Sequence, residues 1–185
     1  MWSPENTRRA IRLLAVVAMA GFTAGCFQPL YGDRSSVGGE GVGPKLAGVN
    51  VAPIDTPNGT RLSRVSVNVR NDLIFGLTGG AGESSPTHRL DIKLAATQLQ
   101  VIVDINTARP DVQNYGIDAT YTLTDLATGK KVVSGQTFSR VSYDLPGQQQ
   151  RFAGARGLRD AEDRAAQVIA DNIRSRVASY FVAGG

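Results

Sequence analysis

Few side chains of this sequence are of the types that catalyse reactions or bind metals. Its 185 residues include one cysteine, Cys26, and one histidine, His88. A single thiol excludes an internal disulfide and any zinc or iron–sulfur site built from several cysteines. His88 has no neighbouring serine motif, so we expect a surface side chain, and Asp91, Asp118 and Asp125 are spaced as separate solvated carboxylates. We therefore predict a protein that is not an enzyme and uses no metal or dissociable cofactor.

The first 25 residues have the three parts of an export signal. Three arginines lie within the first 12 residues, Leu13–Ala20 is apolar, and the small residues Thr23-Ala24-Gly25 follow. The only cysteine comes directly after them, which resembles the bacterial lipobox. In that motif the thiol receives diacylglycerol and the new N-terminus a fatty acyl chain such as palmitate. We predict a lipoprotein signal peptide over residues 1–25 and a lipid anchor at Cys26, with Sec export favoured over the twin-arginine route; the alternative is an ordinary cleaved signal beside a free thiol.

The charge of the mature chain is close to balanced. Of 20 basic and 16 acidic side chains, three arginines and one glutamate lie in the first 25 residues, so about two net positive charges remain. A nucleic-acid-binding protein normally carries a dense basic stripe, and this sequence has none. We therefore predict no nucleic-acid partner. The acyl chains would hold the protein to a membrane, since each buried methylene contributes roughly 0.8 kcal/mol.

The residues that follow Cys26 resemble a known family. The string Cys26-Phe27-Gln28-Pro29-Leu30-Tyr31-Gly32 is similar to the mature start of the LPS-assembly lipoproteins (LptE family), many of which begin Cys-Gly-Phe-Gln-Pro-Leu-Tyr-Gly. The resemblance implies a subunit of the outer-membrane machine that inserts lipopolysaccharide. Its partner would be the LptD β-barrel, which it would help to assemble and plug while contacting lipopolysaccharide. Phe27 after the cysteine is similar to lipoproteins sorted to the outer membrane, so the resemblance implies an outer-membrane location facing the periplasm.

The rest of the chain reads as a tether and one domain. Ser and Gly dominate up to Pro44, so residues 26–44 are predicted to be an acylated N-terminus with a flexible tether, and residues 45–185 a single domain. The alternation in Leu46–Ile54 predicts a strand. Leu62, Val65, Val69 and Leu73 recur at helical spacing, which predicts a helix that stops at Gly76–Gly82.

Three further strands and a long helix complete the predicted domain. Alternation from Arg89 to Val103 changes phase, which predicts a bulge near Ala96–Gln98. A loop over Asn106–Gln113 precedes an alternating strand from Ile117 to Leu123, and a turn at Asp125–Gly129 leads to a strand over Lys131–Tyr143. The final helix has one predicted apolar stripe: Leu158, Ala161, Ala165, Val168, Ile169, Asn172, Ile173, Val177 and Tyr180.

This element order predicts an α+β fold. A four-stranded mixed sheet in the order β-α-β-β-β-α, with two helices on one face, is a two-layer sandwich. The first two strands would be parallel and the others an antiparallel meander. The loops that leave the second and fourth strands would then share one end of the sheet.

Three arginines in the loops at this shared end of the sheet predict a phosphate-binding site. Arg109 falls in the first of these loops, and Arg151 and Arg156 fall in the second. Guanidinium groups bind phosphates through paired hydrogen bonds, so the three arginines are candidates for binding the phosphorylated sugars of lipopolysaccharide. The alternatives are solvated arginines without a ligand, and, for the whole protein, an anchored periplasmic ligand-binding or adaptor lipoprotein unrelated to lipopolysaccharide.

Overall fold

A computed structural model of the protein describes residues 41–80, 85–104, 109–144 and 151–184. The chain divides into two compact units, Met1–Val42 and Gly43–Gly185. Nearly all of the described residues belong to the second unit. Cys26 and the predicted signal peptide lie outside the described residues, as does most of the predicted tether. In chain order the elements are α1 (Val42–Ala47), β1 (Val49–Val51), α2 (Arg61–Thr78), β2 (His88–Asp104), β3 (Arg109–Asp125), β4 (Lys131–Asp144) and α3 (Arg151–Val182).

The four strands form one sheet in the order β1-β2-β3-β4. β1 runs parallel to β2, with Val49 opposite His88, and the other two pairings are antiparallel. Helix α2 packs on β1 and β2, α3 packs on β3 and β4, and the two helices contact each other. The predicted α+β fold with its mixed sheet is therefore confirmed, with one additional short helix, α1.

The core lies between the sheet and the two long helices. The β-strand residues that face the helices alternate with residues on the outer side, as the period of two requires. Its fully buried large side chains include Leu46, Val49, Val51, Val65, Val69, Leu73, Leu90, Ile117, Leu123, Ile169 and Ile173. In the part of the chain that the structure describes, no helix is long and apolar enough to cross a membrane.

The first predicted strand is shorter than the sequence indicated. Leu46 belongs to α1 and buries its side chain from there, so β1 is only three residues long. Ala52 donates one more backbone hydrogen bond to Leu90 at 3.0 Å before Pro53, which has no N–H to continue the ladder. The alternation over Leu46–Ile54 therefore reflects burial by two different elements.

Helix α2 begins as predicted and continues past Gly76. The hydroxyl oxygen of Thr60 caps its first turn by accepting a hydrogen bond from the Ser63 N–H at 3.2 Å. Gly76 stays inside the helix, where the side chain of Arg174 from α3 lies 3.0 Å from the position of a Cβ. The helix ends at Thr78 because Gly79 adopts the left-handed conformation, with φ of +63°.

The hairpin of β2 and β3 also differs from the prediction. The pairing is regular through Ala96–Gln98, and the register shifts fall between Gln100 and Val103. The change of phase in the alternation does not mark a bulge at Ala96–Gln98, because Leu99 is exposed and does not continue the core face. β3 already begins at Arg109, so the predicted loop over 106–113 is mostly strand.

Helix α3 buries a wider surface than the predicted stripe. Ala166, Ala170 and Ala178 are buried in addition to the predicted positions, because α3 packs on α2 as well as on the sheet. Val168, predicted to be in the core, is 43% exposed. Asn172, also predicted to lie on the stripe, is exposed.

Candidate functional site

The three arginines of the predicted phosphate site lie within regular elements. Arg109 is the first residue of β3, and Arg151 and Arg156 belong to the first turns of α3. The prediction that all three lie in loops is wrong, because both flanking elements begin earlier than the hydrophobic pattern indicated. Arg156 is exposed, and the side chains of Arg109 and Arg151 lie outside what the structure describes.

The sheet register nevertheless brings these positions to one end. Val112, near the start of β3, pairs with Asp144, the last residue of β4, and α3 starts shortly after β4. The premise that the β2–β3 and β4–α3 connections share an end of the sheet is thus correct for the backbone. The binding of phosphate by Arg109, Arg151 and Arg156 stays a prediction.

The same end contains a cleft that the sequence did not reveal. It has a volume of about 470 Å³ and lies between the end of β4 and the first turns of α3. Asp160 and Asp144 contribute carboxylates, and Arg164 donates to Asp160 at 2.8 Å, the predicted i,i+4 pair. The cleft is lined by Ser142, Tyr143, Asp144, Ala153, Gly157, Asp160 and Arg164. Arg164, the one arginine in this lining, is already paired with Asp160.

A polar network fixes the floor of this end of the sheet. The Tyr143 hydroxyl donates to Gln113 Oε1 at 2.5 Å and accepts from Gln98 Nε2 at 2.5 Å, while Gln98 also donates to Gln113 at 3.1 Å. Tyr143 is buried. The network joins β2, β3 and β4 on the side that faces α3, so the cleft above it has a preorganised base.

The outer side of the sheet carries a second built cluster, which we call the outer-face cluster: Gly116, Asp118, Phe138 and Arg140. Arg140 donates to Asp118 at 2.8 and 3.0 Å and to the Ile117 carbonyl at 3.1 Å. Its guanidinium carbon lies 5.5 Å from the centre of the Phe138 ring, and that side chain is 66% exposed. A Cβ at Gly116 would lie 2.8 Å from Arg140 Cδ, so glycine lets the arginine cross β3. The result is an aromatic ring and a guanidinium group held in place on an exposed surface.

A buried carboxylate joins the two long helices. Glu162 on α3 is 1% exposed and accepts a hydrogen bond from Arg64 on α2. Asn68 donates to Asp163 at 2.8 Å one turn away. Among the described residues, nothing hydrogen-bonds Glu162 Oε1 or the buried hydroxyl of Tyr115. Sequence reasoning missed Glu162, although it follows Leu158 by four residues and therefore shares its helix face.

The phenol of Tyr115 responds to this buried charge. Burial and, to a smaller extent, the neighbouring Glu162 carboxylate raise its pKa from 10.0 to about 12, while Arg64 and Arg61 oppose the change. The neutral phenol is therefore the form that the fold accommodates.

His88 is less exposed than the sequence indicated. It is half-buried, its ring centre lies 5.0 Å from that of Phe181, and its Nδ1 is 2.9 Å from the Thr87 hydroxyl. Burial lowers the pKa of His88, Lys45 lowers it further, and Asp125 opposes them. These contacts give His88 a packing role between β2 and the end of α3. Within the described ranges, no group of three or more His, Cys, Asp and Glu side chains is arranged to hold a metal.

The fold is shared with solved structures of bacterial proteins that bear the name lipoprotein. A lipoprotein of Caulobacter crescentus superposes with a TM-score of 0.59 at 20% identity, covering 78% of this chain and 97% of that one. An uncharacterized lipoprotein B of Nitrosomonas europaea superposes with a TM-score of 0.52 at 12% identity, covering 75% of this chain and 90% of that one. This fold occurs in bacterial lipoproteins. The rare lipoprotein B of Shewanella oneidensis superposes with a TM-score of 0.49 at 15% identity, covering 72% of this chain and 97% of that one. No family model and no curated protein matches the sequence.

Proposed function

We propose that this chain is an acylated outer-membrane lipoprotein of the lipopolysaccharide-transport machinery and that its partner is the LptD β-barrel. The observation that carries the proposal is the string from Cys26 to Gly32 after an export signal, on a chain whose fold occurs in bacterial lipoproteins. In this role the domain faces the periplasm, occupies the lumen of the barrel and contacts lipopolysaccharide. It catalyses no reaction.

The uncovered outer side of the sheet supports this assignment. No described element packs on that side of β2–β4, where the outer-face cluster lies. Thr120, Thr122, Ser134 and Ser142 also occupy outward positions in the ladder. The interior of a wide outer-membrane barrel is polar, so a sheet surface of hydroxyl groups and one oriented arginine suits contact with it.

The decisive experiment is the identification of the partner. The full chain, tagged at its C-terminus, is extracted from membranes with a mild detergent and purified, and the accompanying proteins are identified by mass spectrometry. We expect one large β-barrel of the LptD kind in about a one-to-one ratio with the lipoprotein. Recovery of the lipoprotein without any barrel would contradict the proposal and favour the anchored ligand-binding or adaptor protein.

The anchor has its own test. Cys26→Ala removes the thiol that would accept diacylglycerol, so we expect the variant to lack acyl chains in intact-mass spectra and to leave the membrane fraction. Thr23→Ala, which keeps the cysteine and a small side chain three residues before it, serves as the matched control and should remain acylated. An unmodified wild-type N-terminus would contradict the assignment of a lipid anchor.

A further inference from the structure

A cleft between α3 and β4 exists because one side chain is missing. Gly135 lies opposite Tyr121 in the β3–β4 ladder, and a Cβ at this position would be 2.6 Å from the Tyr121 hydroxyl oxygen. The Tyr121 ring is buried in the core, yet its hydroxyl group passes Gly135 and reaches the cleft. The volume is about 320 Å³, which is at the lower end of the range for ligand sites.

The walls of this α3–β4 cleft are polar. The lining residues are Tyr121, Gln136, Thr137, Asn172, Ser175, Arg176 and Ser179. One contact spans it: Asn172 Nδ2 donates to the Thr137 hydroxyl at 3.0 Å. Ser179 donates to the backbone carbonyl of Ser175 at 2.8 Å. These bonds hold the rim in place, so the cleft is a formed feature of the folded domain.

Two donors in the cleft have no protein acceptor. Within the part of the chain that the structure describes, no hydrogen bond or ion pair engages the guanidinium group of Arg176 or the hydroxyl of Tyr121. No carboxylate lines the cleft, and Asp171 on the same helix is paired with Arg174 at 3.2 Å. The cleft therefore combines one uncompensated positive charge with hydroxyl and amide groups.

We propose that the α3–β4 cleft binds one anionic sugar, a hydroxylated ring that bears a carboxylate or a phosphate. Arg176 binds the anionic oxygens, because a guanidinium group donates two parallel hydrogen bonds to such a group. The hydroxyl groups of Tyr121 and Thr137 bind ring hydroxyls, since each can donate and accept. The volume suits one sugar ring, and the polar lining does not suit an acyl chain. The site is separate from the predicted arginines 109, 151 and 156, and it requires no β-barrel partner.

Isothermal titration of the full chain in detergent tests the proposal. The probes are glucuronate, glucose 1-phosphate, methyl glucoside and inorganic phosphate. We expect the two anionic sugars to bind about tenfold more tightly than the neutral sugar or phosphate alone. Only the anionic sugars can bind both Arg176, through the charged group, and the hydroxyl groups of the cleft, through the ring. Arg176→Gln should weaken the anionic sugars about tenfold. Arg159→Gln, at an exposed position of the same helix, is the matched control and should leave binding unchanged.

A variant that fills the α3–β4 cleft tests the proposal independently of charge. Gly135→Ala places a methyl group against the Tyr121 hydroxyl and should abolish binding, with circular dichroism confirming that the variant is folded. The proposal is overturned if methyl glucoside or inorganic phosphate binds as tightly as the anionic sugars, or if Arg176→Gln and Arg159→Gln have equal effects. A final arm compares free glucuronate with lipopolysaccharide truncated to its inner sugars. Binding of either that depends on Arg176 supports the site, and the tighter one identifies the source.

Discussion

Removal of the arginine that faces the buried carboxylate should destabilise the domain strongly. Glu162 is 1% exposed, and Arg64 is the only described side chain that donates to it. Loss of one partner of a buried ion pair costs about 3–5 kcal/mol, because the remaining charge stays in a medium of low polarity. The Arg64 side chain is 46% exposed, so water reaches its end of the pair. We therefore expect Arg64→Met to cost about 3 kcal/mol, the lower end of that range.

Removal of both charges should be much less costly than removal of one. Arg64→Met combined with Glu162→Leu leaves no buried charge, and replacement of an ion pair by apolar side chains is often close to neutral. The double variant should recover about 2 kcal/mol of the loss caused by Arg64→Met, and the single variant Glu162→Leu completes the double-mutant cycle that gives the coupling energy. Part of the recovery comes from Glu162 Oε1, which has no hydrogen-bond partner among the described residues.

Urea denaturation followed by circular dichroism at pH 7 measures these free energies on a chain that begins at Phe27. The matched control is the exposed pair of Asp160 and Arg164 on α3. Arg164→Met should cost less than about 1 kcal/mol, as exposed pairs usually do. If Arg64→Met costs no more than this control, the reasoning about burial at Glu162 is wrong.

Three further predictions concern the rest of the fold. Since the pKa of Tyr115 is raised from 10.0 to about 12, its stabilising effect is complete below pH 10 and disappears as pH rises from 10 to 12. The unfolding free energy should fall by about 2–3 kcal/mol over this interval, and Tyr115→Phe should show no such fall. Thr60→Ala removes the cap of α2 and should cost about 1 kcal/mol in the same denaturation assay, while Thr60→Ser should cost little. Gly116→Val displaces the Arg140 side chain from its position across β3 and should cost about 1–3 kcal/mol. An unchanged free energy of unfolding would show that Arg140 does not pack against Gly116.

The strands were the most predictable part of the fold, because their alternation is a local property. Ile117, Tyr121 and Leu123 face the core as the pattern indicated. The turn after β3 was predicted from its residue types. There the Asp125 carboxylate accepts from the Ala127 N–H at 2.8 Å, and Gly129 has a φ of +67°.

Features that depend on tertiary packing were not predictable in this way. The sequence shows one apolar stripe on α3, but it does not show that a second helix covers the flank that contains Glu162. The α3–β4 cleft was missed for a similar reason: it depends on Tyr121 and Gly135 being neighbours across two strands. The register shifts between Gln100 and Val103 depend on which apolar residues of β2 remain exposed. The composition of the strand does not determine this.

The position of α3 in the chain has a consequence for biogenesis. This helix has 32 residues, or about 48 Å at 1.5 Å per residue, and it is the last element in chain order. Until it emerges, Ile117 and its apolar neighbours in β3 have no helix above them. A partly synthesised chain without α3 therefore exposes an apolar sheet face, a surface that favours aggregation. Folding of the domain is therefore completed only when α3 docks on the sheet.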